Sequence, residues 1–311
     1  MSDTVSMTAG TGGMLSDAEA AFARYEAVRS RLPAARFPRR SRLLPSLEEV
    51  ADQVDGFLLD AFGVLNVGET AIPGAVARLA SLRARGKRLV VLTNAASYTR
   101  PQLLDKYHRL GFDFTADEVV ASRDVAVARL DGIAPGASWA VIAAAGDGFT
   151  DIPADLRDAV ADPDAMDQAD GILFLSTARW SARLQDRLIG SLARNPRPLV
   201  IANPDIVAPR EDGLTLEPGL FGHDLLDAVG ATVHWFGKPF PDAFTEGIAR
   251  TGLAPGRLAM VGDTLHTDVL GGAAAGCRSV LVTDHGLFAG RDTGPFIDAS
   301  GIVPDYRVPG I

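Results

Sequence analysis

The sequence predicts an α/β protein built on a doubly wound parallel sheet, and two observations predict it. Seven short apolar runs, Phe57–Leu59, Arg88–Leu92, Trp139–Ala143, Ile172–Leu175, Leu199–Ala202, Leu258–Val261 and Val280–Val282, are mostly continuous Val, Ile and Leu without polar alternation. Parallel strands covered on both faces read this way, because neither side meets water. Between the runs lie stretches with helical spacing, and strand–helix–strand repetition implies right-handed crossovers.

The helices can be read in chain order. Residues 1–15 are small and polar with several Gly and Thr, the composition of a mobile segment. From Asp17 to about Leu32, Ala, Glu and Arg with spaced apolar residues predict a helix, followed by the basic connector ARFPRRSRLLP. A short helix is expected over Ser46–Val54, with Ser46 as N-cap and Glu49 three residues on. Pro73 opens a helix that presents Val76, Leu79 and Leu82 on one face, and Gly86 stops it. Another runs from Thr99 to Leu110 and ends at Gly111.

Composition narrows the function classes. The chain has 311 residues, 47% hydrophobic and 22% charged, enough for one large domain or two ordinary ones. A formal net charge of −9 argues against nucleic-acid and anionic-membrane partners, which require a basic face. It does not exclude a phosphorylated substrate, since a bound divalent ion inverts the local field. The single cysteine, Cys277, rules out a disulfide framework. No apolar run reaches the length that spans a bilayer, and MSDTVSMTAGTGGML lacks the basic and apolar regions of a signal peptide. The expected location is the cytoplasm.

Ligands of open α/β sheets bind beyond the carboxyl ends of the strands, so the reactive residues just after each strand are the candidates. Asp60 follows Phe57–Leu59, Thr93 and Asn94 follow Arg88–Leu92, and Lys238 follows the run Val233–Phe236. Asp263 follows Leu258–Val261, with Asp268 five positions later. These three carboxylates, one hydroxyl and one amine are expected to converge on one edge of one sheet. Carboxylates repel a phosphoryl group unless a cation intervenes, and Mg²⁺ with oxygen ligands supplies one. With the ion and Lys238 neutralising the phosphoryl oxygens, Asp60 can attack phosphorus in line and form an aspartyl-phosphate.

The ordered segments LLDAFGVL, VVLTNAA, GKPFPDAF and MVGDTLHTD resemble the four motifs of the haloacid dehalogenase-like superfamily, over about residues 55–285. The resemblance implies that Asp60 is the nucleophile and a metal ligand and that Phe62 gives its backbone carbonyl to the metal. Thr93 and Asn94 would bind the phosphoryl oxygens, and Lys238 would be the motif lysine. Asp263 would be a direct metal ligand and Asp268 a carboxylate orienting metal-bound water. Only 33 positions separate Asp60 from Thr93, but 145 separate Thr93 from Lys238, so a separate α/β cap domain is expected in the second interval. This spacing, with Ala202-Asn203-Pro204-Asp205 and Glu217-Pro218-Gly219, resembles the class IIA branch of NagD-like and p-nitrophenyl phosphatase-like enzymes. The expected division is an N-terminal extension over 1–45, a Rossmann-like core over 46–136 and 222–311, and an inserted cap over 137–221. Asn203 and Asp205 divide between turn chemistry and substrate contact. Exposed cap strands allow a homodimer.

One position departs from the family pattern. Phosphatases of this superfamily carry a second Asp two residues after the nucleophile, which protonates the leaving group and then activates water. Phe62 stands there, and a phenyl ring transfers no proton. Three readings follow: a substitute acid (Glu69, Asp205 or one on the substrate), a catalytically weak phospho-ligand binder, or carbon–halogen hydrolysis, whose enzymes have an aromatic residue here. The last ranks lowest, because Asp263 and Asp268 form an acidic pair that halide chemistry does not need. His266 reads as an exposed loop histidine, since Mg²⁺ prefers oxygen ligands. Asp268 can also cap the helix running through Gly276. AAAGDGF (143–149) fits no dinucleotide fingerprint and reads as a cap loop.

Overall fold

The structure is a computed structural model that describes residues 17–210 and 213–311. The expected mobile segment, 1–15, lies outside the described residues. All seven expected strands form, with ends within two residues of the apolar runs, and they divide between two parallel sheets.

Among the described residues the first sheet has seven strands, in the order Arg42–Leu43, Tyr306–Val308, Arg278–Val282, Leu258–Gly262, Gly56–Leu59, Arg88–Thr93 and Val119–Ala121. Its centre is apolar on both faces: every residue of Gly56–Leu59 and Leu258–Gly262 is buried. The second sheet, again among the described residues, has five strands in the order Val233–Trp235, Leu199–Ile201, Gly171–Phe174, Ser138–Ile142 and Asp155–Asp158. An antiparallel hairpin, Val207–Arg210 with Gly213–Leu216, projects from this inserted unit.

Two domain boundaries differ from expectation. The return to the core was expected at residue 222, but Val233–Trp235 pairs in parallel with Leu199–Ile201 of the second sheet. Parallel neighbours need a crossover, and the helix Pro218–Val229 supplies it, so the insertion extends to Trp235. The N-terminal extension is also not separate from the core. Arg42–Leu43 adds an edge strand to the first sheet, and the helix Ala18–Ala27 buries Ala18, Ala21 and Tyr25.

The helices follow their local signals. Asp17 accepts from Ala20 N at 2.9 Å and caps Ala18–Ala27. Ser46 accepts from Glu48 N at 3.2 Å, although the helix it starts is only Leu47–Val50. Ala75–Ala84 buries Leu79 and Leu82 as expected, with Ala75 inward in place of Val76, which is exposed. Thr99 and Gln102 form a reciprocal cap for Arg100–Arg109, and Gly111 ends that unit with φ of 91°. Among the described residues no helix is long and apolar enough to cross a membrane.

Candidate active site

Asp60, Thr93 and Asp263 stand at the carboxyl ends of three adjacent central strands: Gly56–Leu59, Arg88–Thr93 and Leu258–Gly262. Lys238 arrives differently from the expectation of a single sheet edge. It follows Val233–Trp235, the edge strand of the inserted sheet, and reaches the core carboxylates from there. Its Nζ is 2.5 Å from Asp60 Oδ1 and 2.7 Å from Asp268 Oδ1.

The backbone around the carboxylates is shaped to orient them. Asp60 Oδ1 accepts from Ala61 N at 2.7 Å. Asp263 accepts from Leu287 N at 2.7 Å and from the Thr264 hydroxyl at 2.9 Å. Asp268 accepts from Thr264 N at 3.1 Å, within a turn of π-helix over Leu265–Val269 rather than at a helix start. A Cβ on Gly286 would lie 1.8 Å from Asp263 Oδ2, so only glycine lets that loop close over the carboxylate.

The electrostatics show a site short of positive charge. Oxygens of Asp60, Asp263 and Asp268 lie within 4.8 Å of one another. Burial raises Asp60 to about 7, against the pull of Lys238. Burial, with Asp268 and Asp60 adding repulsion, raises Asp263 to about 8. Burial pulls the Lys238 amine down, but the carboxylates of Asp268, Asp60 and Asp205 outweigh it and hold the amine above its ordinary value. One ammonium does not balance three buried carboxylates, and an all-oxygen donor set of this kind fits a hard divalent cation.

Above the cluster is a cavity of about 420 Å³ between the core and the insertion. The core contributes Asp60, Phe62, Thr93 and Asp263; the insertion contributes Ala144–Asp147, Asn203, Asp205, Arg210 and Glu217. Several of the side chains expected to bind substrate are engaged within the protein. The Asn94 amide donates to Lys238 O and Asp205 Oδ1, both at 2.9 Å, and accepts from Lys238 N at 2.7 Å. It therefore holds the lysine backbone in register. Asn203 donates to Glu217 at 3.0 Å and accepts from Asp205 N at 3.0 Å, which shapes the turn. Asp205 is partly accessible, and its carboxyl is raised well above the ordinary range, first by burial and further by Asp60.

The Phe62 ring meets two cations, with the Arg210 guanidinium 4.6 Å and the Lys106 ammonium 5.0 Å from its centroid. Glu69 pairs with Lys106 at 2.7 Å, is largely exposed, and is not part of the cavity wall. Of the two protein acids expected to substitute, Glu69 and Asp205, Asp205 is the one that lines the cavity. His266 is buried, contrary to expectation, because the N-terminal helix covers it: Tyr25 stacks on its ring and Glu26 meets its Nε2 at 2.6 Å.

Arg123 gave no signal in the sequence. It is fully buried and its five N–H groups meet Asp147, Asp151 and Ala96 O at 2.5–3.3 Å. It thereby ties the loop after Ser138–Ile142, which walls the cavity, to the turn after Thr93.

The fold agrees with comparisons to known proteins. The family description "Haloacid dehalogenase-like hydrolase" matches residues 57–152, and "HAD-hydrolase-like" matches residues 235–305. Chronophin of Homo sapiens is 32% identical over 284 residues, covering 86% of this chain and 94% of its own. The p-nitrophenyl phosphatase from Archaeoglobus fulgidus shares the fold at a TM-score of 0.69 and 23% identity, over 83% of this chain and 97% of its own. A glycerol phosphate phosphatase from Mycobacterium tuberculosis, solved in complex with magnesium, has a TM-score of 0.61 and 26% identity over 76% of this chain and 70% of its own. The chain belongs to the haloacid dehalogenase-like hydrolases, in the class IIA branch with an inserted α/β cap.

Proposed function

We propose that this protein is a Mg²⁺-dependent phosphatase acting on a small phosphorylated metabolite, with Asp60 as the nucleophile. The observation that carries the reading is the contact of Lys238 with Asp60 beside Asp263 and Asp268. Asp60, Asp263 and Asp268 would hold the ion together with the backbone carbonyl of Phe62. Bound there, Mg²⁺ supplies positive charge to the phosphoryl oxygens.

The chain's own groups do the rest. An Asp60 carboxylate oxygen attacks phosphorus as the ester P–O bond breaks, and the leaving oxygen takes a proton. Thr93 offers a hydroxyl to the transferred group, and Lys238 balances its charge. Water then attacks the aspartyl-phosphate, releasing phosphate and restoring Asp60. Asp205 stands at the cavity wall with its carboxyl raised well above the ordinary range by burial, so it is the protein's candidate donor to the leaving group. Asn203 and Asp205 then meet the substrate from the cap, and Asn94 acts through Lys238.

One observation favours a second reading, a weakly catalytic phospho-ligand binder: Phe62 leaves no proton-transfer group two residues after the nucleophile. A panel of phosphorylated metabolites assayed with Mg²⁺, with Asp60→Asn as the blank, separates the two. Phosphate release above the blank supports the phosphatase. Mg²⁺-dependent ligand affinity without release at saturation overturns it in favour of the binder.

A further inference from the structure

We propose that Tyr25 is a positioning residue for the cavity, and that the helix Ala18–Ala27 clasps the insertion onto the core through it. Ala18, Ala21, Tyr25 and Val28 belong to one apolar cluster that also takes in Leu220 and Phe221 of the insertion and Leu265 and Phe288 of the core. The helix is therefore packed into both units at once.

Its polar contacts divide the same way. Toward the insertion, the Tyr25 hydroxyl accepts from Ile206 N at 3.0 Å, and Arg24 reaches Asp224 at 2.8 Å and Asp227 at 3.0 Å. Toward the core, the Tyr25 ring lies on His266 with centroids 4.9 Å apart and planes 7° from parallel, and Arg291 meets Glu19 at 3.0 Å. The arginine pairs are partly exposed and contribute little each. The Tyr25 contact differs, because Ile206 is fully buried and its N–H would otherwise be left without this acceptor.

The two groups that Tyr25 touches lie beside the chemistry. Ile206 follows Asp205, which lines the cavity, and His266 stands between Asp263 and Asp268. One side chain thus sets the Asn203–Asp205 turn of the cap against the loop bearing two of the clustered carboxylates. Losing the hydroxyl frees the Ile206 amide and lets Asp205 drift from Asn94, while the ring still covers His266.

The test is Tyr25→Phe in the full-length chain, read by amide hydrogen exchange and by steady-state kinetics on p-nitrophenyl phosphate with Mg²⁺. Exchange at residues 203–207 should rise about tenfold, with the strands Gly56–Leu59 and Leu258–Gly262 unchanged. KM should rise roughly threefold to tenfold with kcat within about twofold, as expected for one buried hydrogen bond. Unchanged exchange at 203–207, a rise spread evenly over both sheets, or faster local exchange with an unchanged KM would each overturn the proposal. Only the kinetic arm rests on the phosphatase reading. If the wild-type protein has no turnover, that reading fails separately and local exchange alone decides the clasp.

Discussion

The guanidinium of Arg210 sits 4.6 Å from the ring centroid of Phe62, so the cap hairpin meets the core at the position two residues beyond Asp60. With Lys106 on Phe62 as well, the ring is held by two cations. A carboxylate placed there would be drawn toward those cations and kept ionised.

Phe62→Asp should therefore raise p-nitrophenyl phosphate turnover only modestly. A well-tuned acid contributes roughly 10²–10⁴-fold, whereas about tenfold is expected here because Arg210 and Lys106 would depress the new group. Initial rates with Mg²⁺ check this. A fast wild-type enzyme abolished by the substitution would contradict the role given to Phe62.

Lys238→Met should destabilise the metal-free protein by about 3–5 kcal/mol, the usual cost of removing one partner from a buried ion pair. Asp60 and Asp268 lose their shared cation, so added Mg²⁺ should recover more stability in the variant than in the parent. Thermal unfolding with and without the ion measures both effects.

The acidic cluster also predicts how stability varies with pH. Asp60 and Asp263 are raised in the folded chain to about 7 and about 8, above the ordinary 3.8. Between those limits the folded state holds more protons than the unfolded one, so this stability is present below about pH 4 and lost as pH rises through 8. Metal-free protein should lose thermal stability from pH 5 to pH 8, and Asp263→Asn should flatten that slope. Mg²⁺ should flatten it too, by favouring the ionised carboxylates.

Arg123→Met should loosen the loop after Ser138–Ile142. It leaves Asp147 and Asp151 without their buried partner, at a cost of about 3–5 kcal/mol. Limited proteolysis should show a new cut at 144–151 in the variant before general unfolding. Cleavage spread evenly over the chain would mean that Arg123 stabilises the whole fold instead.

The central strands were legible because both their faces are apolar, which leaves uninterrupted Val and Leu runs such as Arg88–Leu92. Asp60 and Asp263 were legible as the first polar residues after such runs. The sheet to which Val233–Trp235 belongs was not, because three residues carry no mark of their neighbour. Val119–Ala121 and Tyr306–Val308 escaped for the same reason of length, and Asp155–Asp158 because its sequence, DLRD, is polar. His266 and Arg123 were misread or missed because their burial depends on segments more than twenty residues away, Tyr25 in one case and Asp147 in the other. Periodicity reports the face a residue shares with its chain neighbours, and carries nothing about a remote partner.

The attachment of Lys238 to the inserted sheet matters for anyone transplanting caps between relatives. A graft cut at residue 222 would split the parallel pair Leu199–Ile201 with Val233–Trp235 and leave the recipient's amine on a strand with a foreign neighbour. A cut just after Trp235 moves that sheet whole and keeps the host's own Gly237-Lys238 beside its Asn94. The natural seam for recombination lies there.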